Sequence, residues 1–171
     1  MRRVKVCTYQ NIWPSIFATE AEQLKEIFGG ECTAIYHIGS TAVPELHAKP
    51  IIDIMPIVKK IDIIDTYNNQ MKEIGYTPKG ENGIPQRRYF QKGGDNRTHH
   101  VHIYQEGSHQ ITRHLAFREY LREHPGERNR YGQWKVKLAN QFPYEISSYI
   151  DGKDDLVKEI ENKALEWYKG F

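Results

Sequence analysis

His37-Ile38-Gly39-Ser40-Thr41-Ala42-Val43-Pro44 is followed, after a short loop, by Lys49-Pro50-Ile51-Ile52-Asp53-Ile54-Met55-Pro56-Ile57-Val58. These two stretches decide the fold. Cys32 to Ile38 reads as a strand, because β-branched and aromatic residues dominate it. It runs into Gly-Ser and then small residues, a loop or short helix over Gly39 to Ala48. Pro50 to Val58 reads as a second strand, apolar on both faces except at Asp53. That pattern belongs in the interior of a sheet.

Upstream, Trp13-Pro14 opens a helix, since proline in the first turn loses no hydrogen bond. Phe17, Ala21, Leu24 and Phe28 recur on one face, and Gly29-Gly30 stop it. Downstream, Asp62 is expected to cap a second long helix bearing Ile64, Tyr67, Met71 and Ile74, closed by Gly75. Three short strands follow, around Tyr76, over Arg87 to Gln91 and over Thr98 to Tyr104. The turns between them are Gly80-Glu81-Asn82-Gly83 and Gly93-Gly94-Asp95-Asn96. From Ser108 the pattern is helical, with one helix ending at His124-Pro125, one carrying Tyr131, Trp134 and Leu138, and one carrying Leu156, Ile160, Ala164 and Trp167. The expected fold is α+β: a single domain over 1–171, with a mixed β-sheet flanked by helices and a helical C-terminal part.

With 171 residues, 39% hydrophobic and 12% aromatic, the chain is too rich in core-forming residues for disorder. A mean hydropathy of -0.72 goes with the absence of any apolar run of about 18 residues, so no membrane span is expected. No signal peptide is expected either, because no apolar stretch follows Arg2-Arg3. The 2 cysteines, Cys7 and Cys32, read as reduced thiols of a cytoplasmic protein. Net charge is only +2, but Lys79 to Lys137 holds 12 basic and 6 acidic residues, and six of the 8 histidines. That segment reads either as a solvated basic face or as a field suited to anionic ligands such as phosphates, nucleotides or nucleic acid.

Three features carry possible chemistry. Gly39, Ser40 and Thr41 offer backbone N–H groups and hydroxyls at a helix start, which suits an anion; an ordinary capped turn is the plain alternative. Asp53 interrupts an apolar strand, where an unpaired charge is costly. It is either paired with Lys49 or with an arginine, or it faces the Gly-Ser loop as a metal ligand. His100 and His102 share one face of a strand and join Asp53 as candidate metal ligands, or they only hydrogen-bond at a strand edge. Arg88 with Arg87, and Arg113-His114, Arg118 and Arg122, are placed to complete an anion pocket, unless the helix arginines pair with neighbours such as Glu119. A cleft holding Asp53, His100 and His102 beside the Gly39-Ser40 loop is the expected arrangement.

The segment from His37 to Ile54 resembles the signature of the GrpB family. The likeness extends from Tyr9 and Trp13-Pro14 through His100-Val101-His102, Phe117 to Arg122 and Lys135 to Trp167. The family is in turn similar to the nucleotidyltransferase superfamily. That resemblance implies a nucleotidyltransferase-like fold, a Gly39-Ser40 loop that holds nucleotide phosphates, and a strand carboxylate, Asp53, that holds Mg2+. It also implies metal-dependent nucleotidyl transfer from a nucleoside triphosphate to a small-molecule, RNA or protein acceptor, with Lys49 and arginines neutralising developing charge. Two positions depart from the pattern. Met55 stands where a second carboxylate is usual, and Glu45 stands where the family usually has glycine. The alternative to the enzyme is a catalytically degenerate module that binds a nucleotide or another phosphorylated small molecule. A third reading is a transition-metal site on His100, His102 and His37.

Overall fold

The computed structural model describes residues 2–170. The chain divides into two compact units: Ile12–Ile38 with Ile51–Ile111, and Gly39–Pro50 with the N-terminal segment up to Asn11 and everything from Thr112 on.

The first unit is built on a sheet of five strands: β1 (Cys32–Ile38), β2 (Ile52–Val58), β3 (Tyr76–Pro78), β4 (Arg88–Lys92) and β5 (His99–Gln105). Their spatial order is β1-β2-β5-β4-β3. The β2/β5 pair is parallel and the others are antiparallel, so the sheet is mixed. β2 lies between β1 and β5, which is why nearly all of its residues are apolar and buried. Helix α1 (Trp13–Phe28) has Pro14 in its first turn, buries Trp13, Ala21, Leu24 and Phe28, and stops at Gly29 with φ 53°.

Glu20 is the polar exception on that buried face of α1. Its Oε1 accepts hydrogen bonds from Tyr76 Oη and Lys92 Nζ, each at 2.8 Å, and His99 Nε2 lies 3.9 Å from Oε2. Tyr76, Lys92 and His99 come from three different strands, so one carboxylate joins α1 to β3, β4 and β5.

After β2 the structure departs from the expected long helix. Ile61–Tyr67 is a 3-10 helix, followed by a short α2 (Asn68–Glu73). The N-cap is Lys60 rather than Asp62, with no capping side chain. Ile61, Ile63, Ile64 and Thr66 are β-branched and Asp62 and Asp65 are poor helix formers, so the segment favours short turns over a continuous helix. Gln105 Oε1 accepts from the Ile61 N–H at 3.0 Å and fixes its start.

The second unit contains α3 (His109–Glu123), α4 (Pro125–Gln141) and α5 (Ile146–Tyr168), with the first residues of α3 belonging to the sheet unit. Val43, Leu46, Ala116, Leu121, Tyr131, Ile160 and Ala164 are packed together in its core. A second cluster holds Val4, Leu138, Ala139 and Tyr149. The N-terminal segment is tied down twice, by a Cys7–Ala48 bridge and by the Val4 N–H on the Pro143 carbonyl at 2.7 Å. Among the described residues, no helix is long and apolar enough to cross a membrane.

Candidate functional site

In the sheet unit, the parallel register sets Asp53 opposite His100. Side chains alternate along a strand, so His102 shares their face. On the other side of β5, Gln91 stands opposite His100 and Tyr89 opposite His102. Asp53 Oδ1 accepts from both imidazoles, from His102 Nε2 at 3.0 Å and from His100 Nδ1 at 3.4 Å. One ligand atom from each of the three residues lies within 4.8 Å of the others. The side chains are 14–25% exposed, enough for solvent or a ligand to reach them.

Arg97 completes the group. Its Nη1 sits 3.1 Å from His100 Nε2, and its Nε donates to the Gly94 carbonyl. A guanidinium only donates, so His100 Nε2 is the acceptor and its proton is on Nδ1, facing Asp53. Burial lowers the His100 pKa below 6.5, against the pull of the Asp53 carboxylate, and His102 and Arg97 add to the lowering. Burial alone would raise the Asp53 pKa. The two imidazoles outweigh it and hold the carboxyl well below the usual carboxylate range.

These donors do not fit magnesium. Mg2+ takes oxygen ligands, commonly one or two carboxylates with phosphates and water. Here one carboxylate meets two imidazole nitrogens, and Met55, fully buried, stands two residues along the same face. That donor set matches divalent transition metals instead.

In the helical unit, Gly39 has φ 73°, a conformation that glycine adopts without steric cost. It leads into a 3-10 turn over Ser40–Ala42, closed by the Val43 N–H on the Ser40 carbonyl at 3.1 Å. Lys135, from α4, is 2% exposed, donates to Ser40 Oγ at 2.7 Å and lies 4.3 Å over the Tyr131 ring. A hydroxyl that accepts from an ammonium keeps its own proton for another acceptor. Ser40 and Lys135 therefore put an ammonium and a hydroxyl side by side at the turn. Arg122 donates Nε and Nη2 to the Ala42 carbonyl at 3.0 and 2.8 Å, which fixes the end of the turn. Glu45 has φ 69°, a left-handed conformation that favours glycine, and its carboxylate pairs with Arg128 at 3.2 Å.

The other expected residues lie elsewhere. Thr41 is buried within the turn. Lys49 Nζ lies 5.2 Å over the Tyr149 ring. Arg88 pairs with Asp65 at 2.9 Å and Asp62 at 3.7 Å, and by alternation it emerges on the sheet face opposite Tyr89 and His102. His37 stacks on Phe17 and pairs across the sheet with Ile54, which removes it from the face of Asp53. The helix arginines pair with carboxylates: Arg113 with Glu161, Arg118 with Glu119 and Arg130 with Glu159. Burial raises the pKa of both Cys7 and Cys32. Neither the contact of Lys135 with Ser40 nor that of Arg97 with His100 was legible. Lys135 is a single lysine on a polar helix. Arg97, three residues before His100 in a Gly-rich turn, was the only local signal.

A profile described as "GrpB protein" matches residues 3–163. The chain is 51% identical over 169 residues to the UPF0157 protein YqkA of Bacillus subtilis, covering 99% of this chain and 49% of that one. It thus spans about half the length of that relative. It is 32% identical to the Glutamate-rich protein GrpB of Alkalihalophilus pseudofirmus, covering 94% of this chain and 95% of that one. The crystal structure of GrpB from Enterococcus faecalis superposes with a TM-score of 0.93 at 47% identity, covering 96% of this chain and 99% of that one.

Proposed function

The chain belongs to the GrpB protein family, and from that premise we propose that it binds the phosphate groups of a nucleotide or another phosphorylated small molecule at Ser40 and Lys135. The observation that carries this is the buried Lys135 ammonium on the Ser40 hydroxyl at 2.7 Å. Burying a lysine is costly. The Ser40 hydroxyl that accepts from it still has a proton to donate, so an ammonium and an O–H donor stand together where an anion could meet them. The Gly39 backbone, with no side chain, leaves room for close approach.

A second reading is nucleotidyl transfer to an RNA, protein or small-molecule acceptor. Asp53, retained as a half-buried carboxylate in an apolar strand, favours it. The buried Met55, in place of a second carboxylate, favours binding without turnover.

Calorimetric titration with ATP and with inorganic pyrophosphate, in the presence of a chelator, tests the binding reading. Saturable binding by the wild type that is lost in Ser40→Asp and Lys135→Met supports it. Equal affinity in all three proteins refutes it. Label transfer from an α-labelled nucleoside triphosphate to an acceptor, abolished in Asp53→Asn, would establish the second reading.

A further inference from the structure

The geometry points to a divalent transition-metal site of the zinc type, held by Asp53, His100 and His102 and controlled by Arg97. It does not rest on the phosphate reading, which concerns the other unit. At ligand distances of about 2.1 Å, neighbouring donors are set about 3.0 Å apart in an octahedron and about 3.4 Å apart in a tetrahedron. The edges from Asp53 Oδ1 to His102 Nε2 and to His100 Nδ1 are 3.0 and 3.4 Å. These spacings, set by hydrogen bonds in the metal-free form, fall in that range, and one ligand atom from each of the three residues lies within 4.8 Å of the others. The strands fix this arrangement, because Asp53 and His100 are register partners and His102 follows on the same face. Three protein ligands with partial exposure leave coordination positions for water or a ligand, as in catalytic rather than structural zinc sites.

Arg97 is the control. A neutral imidazole that binds a metal through Nδ1 carries its proton on Nε2. That N–H would then face Arg97 Nη1, and two donors would stand 3.1 Å apart. Ligating histidines are normally supported by an acceptor at the second nitrogen; here a donor occupies that place. Metal entry therefore requires Arg97 to release His100. Arg97 sits in the turn between β4 and β5, and its Nε is also held by the Gly94 carbonyl, so release gives up both side-chain contacts. We read Arg97 as a positioning residue that holds the site in its metal-free form.

The test is titration of the full chain with Zn2+ against a chromophoric chelator, and with Co2+ followed by its visible absorption. One equivalent should bind, without the near-ultraviolet thiolate band that Cys7 or Cys32 would give. Millimolar Mg2+ should not displace it. Asp53→Asn and His102→Gln, each checked for an unchanged melting transition, should weaken binding by about 10- to 100-fold, and Arg97→Ala should tighten it several-fold. Failure of the wild type and of Arg97→Ala to bind Zn2+, or unchanged affinity in both ligand variants, overturns the site. Affinity in Arg97→Ala at or below that of the wild type overturns the control. Because the phosphate titrations contain chelator, their outcome is independent of this one.

Discussion

Lys135 and Ser40, 95 residues apart in sequence, meet at 2.7 Å with the lysine donating and the serine accepting. A hydrogen bond involving a charged group contributes about 1.5–3 kcal/mol when its partner is buried. If the ammonium also meets phosphate, Lys135→Met should weaken pyrophosphate or ATP binding by roughly 10-fold or more, while Lys135→Arg retains part of it. Calorimetry on the three proteins checks this, and a Lys135→Met affinity within twofold of the wild type would remove Lys135 from the site.

Glu20 binds Lys92 and Tyr76 at once from a helix face that is otherwise apolar. Removing one partner of a buried ion pair costs about 3–5 kcal/mol, because the other charge is stranded. Lys92 keeps a side-chain exposure of 26%, so the lower end of that range applies. Glu20→Leu alone should lower the chemical-denaturation midpoint strongly. Glu20→Leu with Lys92→Met should recover most of the loss. A double variant no more stable than the single would show that the carboxylate acts through Tyr76 rather than through the lysine.

The strand-rich half of the fold was legible because its signals are local. α1 has a proline start and a glycine stop, β1 and β2 have β-branched runs, and Asp53 stands out against an apolar strand. The helix expected after Asp62 failed because apolar spacing outvoted β-branching, and there the local backbone preference prevails. Asp53, His100 and His102 could be named as candidates, since alternation alone sets the two histidines on one face. Their pairing depends on the parallel β2/β5 register, which no local pattern encodes. Arg88 was misplaced for the related reason that one residue of register decides which face a side chain takes. Lys135 meets Ser40 and Arg122 meets Ala42 across separations of 95 and 80 positions, and a single sequence carries no record of such pairings.

Gly93 lies in the turn that carries Arg97. It has φ 103°, and a Cβ there would stand 2.4 Å from the Asn96 carbonyl oxygen. Both conformation and space exclude a side chain, so Gly93→Ala should destabilise the protein by about 1–3 kcal/mol. It should also loosen the hold of Arg97 on His100. In NMR, the His100 ring signals should broaden in Gly93→Ala more than those of His124, which is held by the Tyr120 carbonyl in the helical unit. Equal broadening of both rings would mean general destabilisation rather than a local effect.

Arg122 supplies two donors to one carbonyl, that of Ala42, at the end of the Ser40 turn. It touches that carbonyl and, through Nη1, Glu119 at 3.0 Å, not the proposed anion site, so its effect on binding is through position. Lysine keeps the charge but loses the planar fork that makes two bonds from one side chain. Arg122→Lys should therefore cost little stability, about 1 kcal/mol for the lost bond, and still weaken pyrophosphate binding several-fold, because the turn that carries Ser40 is held by one bond instead of two. Arg122→Ala should weaken binding further and lower the melting temperature as well. The distinguishing measurement is the pair of readouts on Arg122→Lys. Weakened binding with a near wild-type melting curve means that the fork positions Ser40, whereas wild-type binding in that variant means that the charge alone was sufficient and the two-bond geometry is incidental.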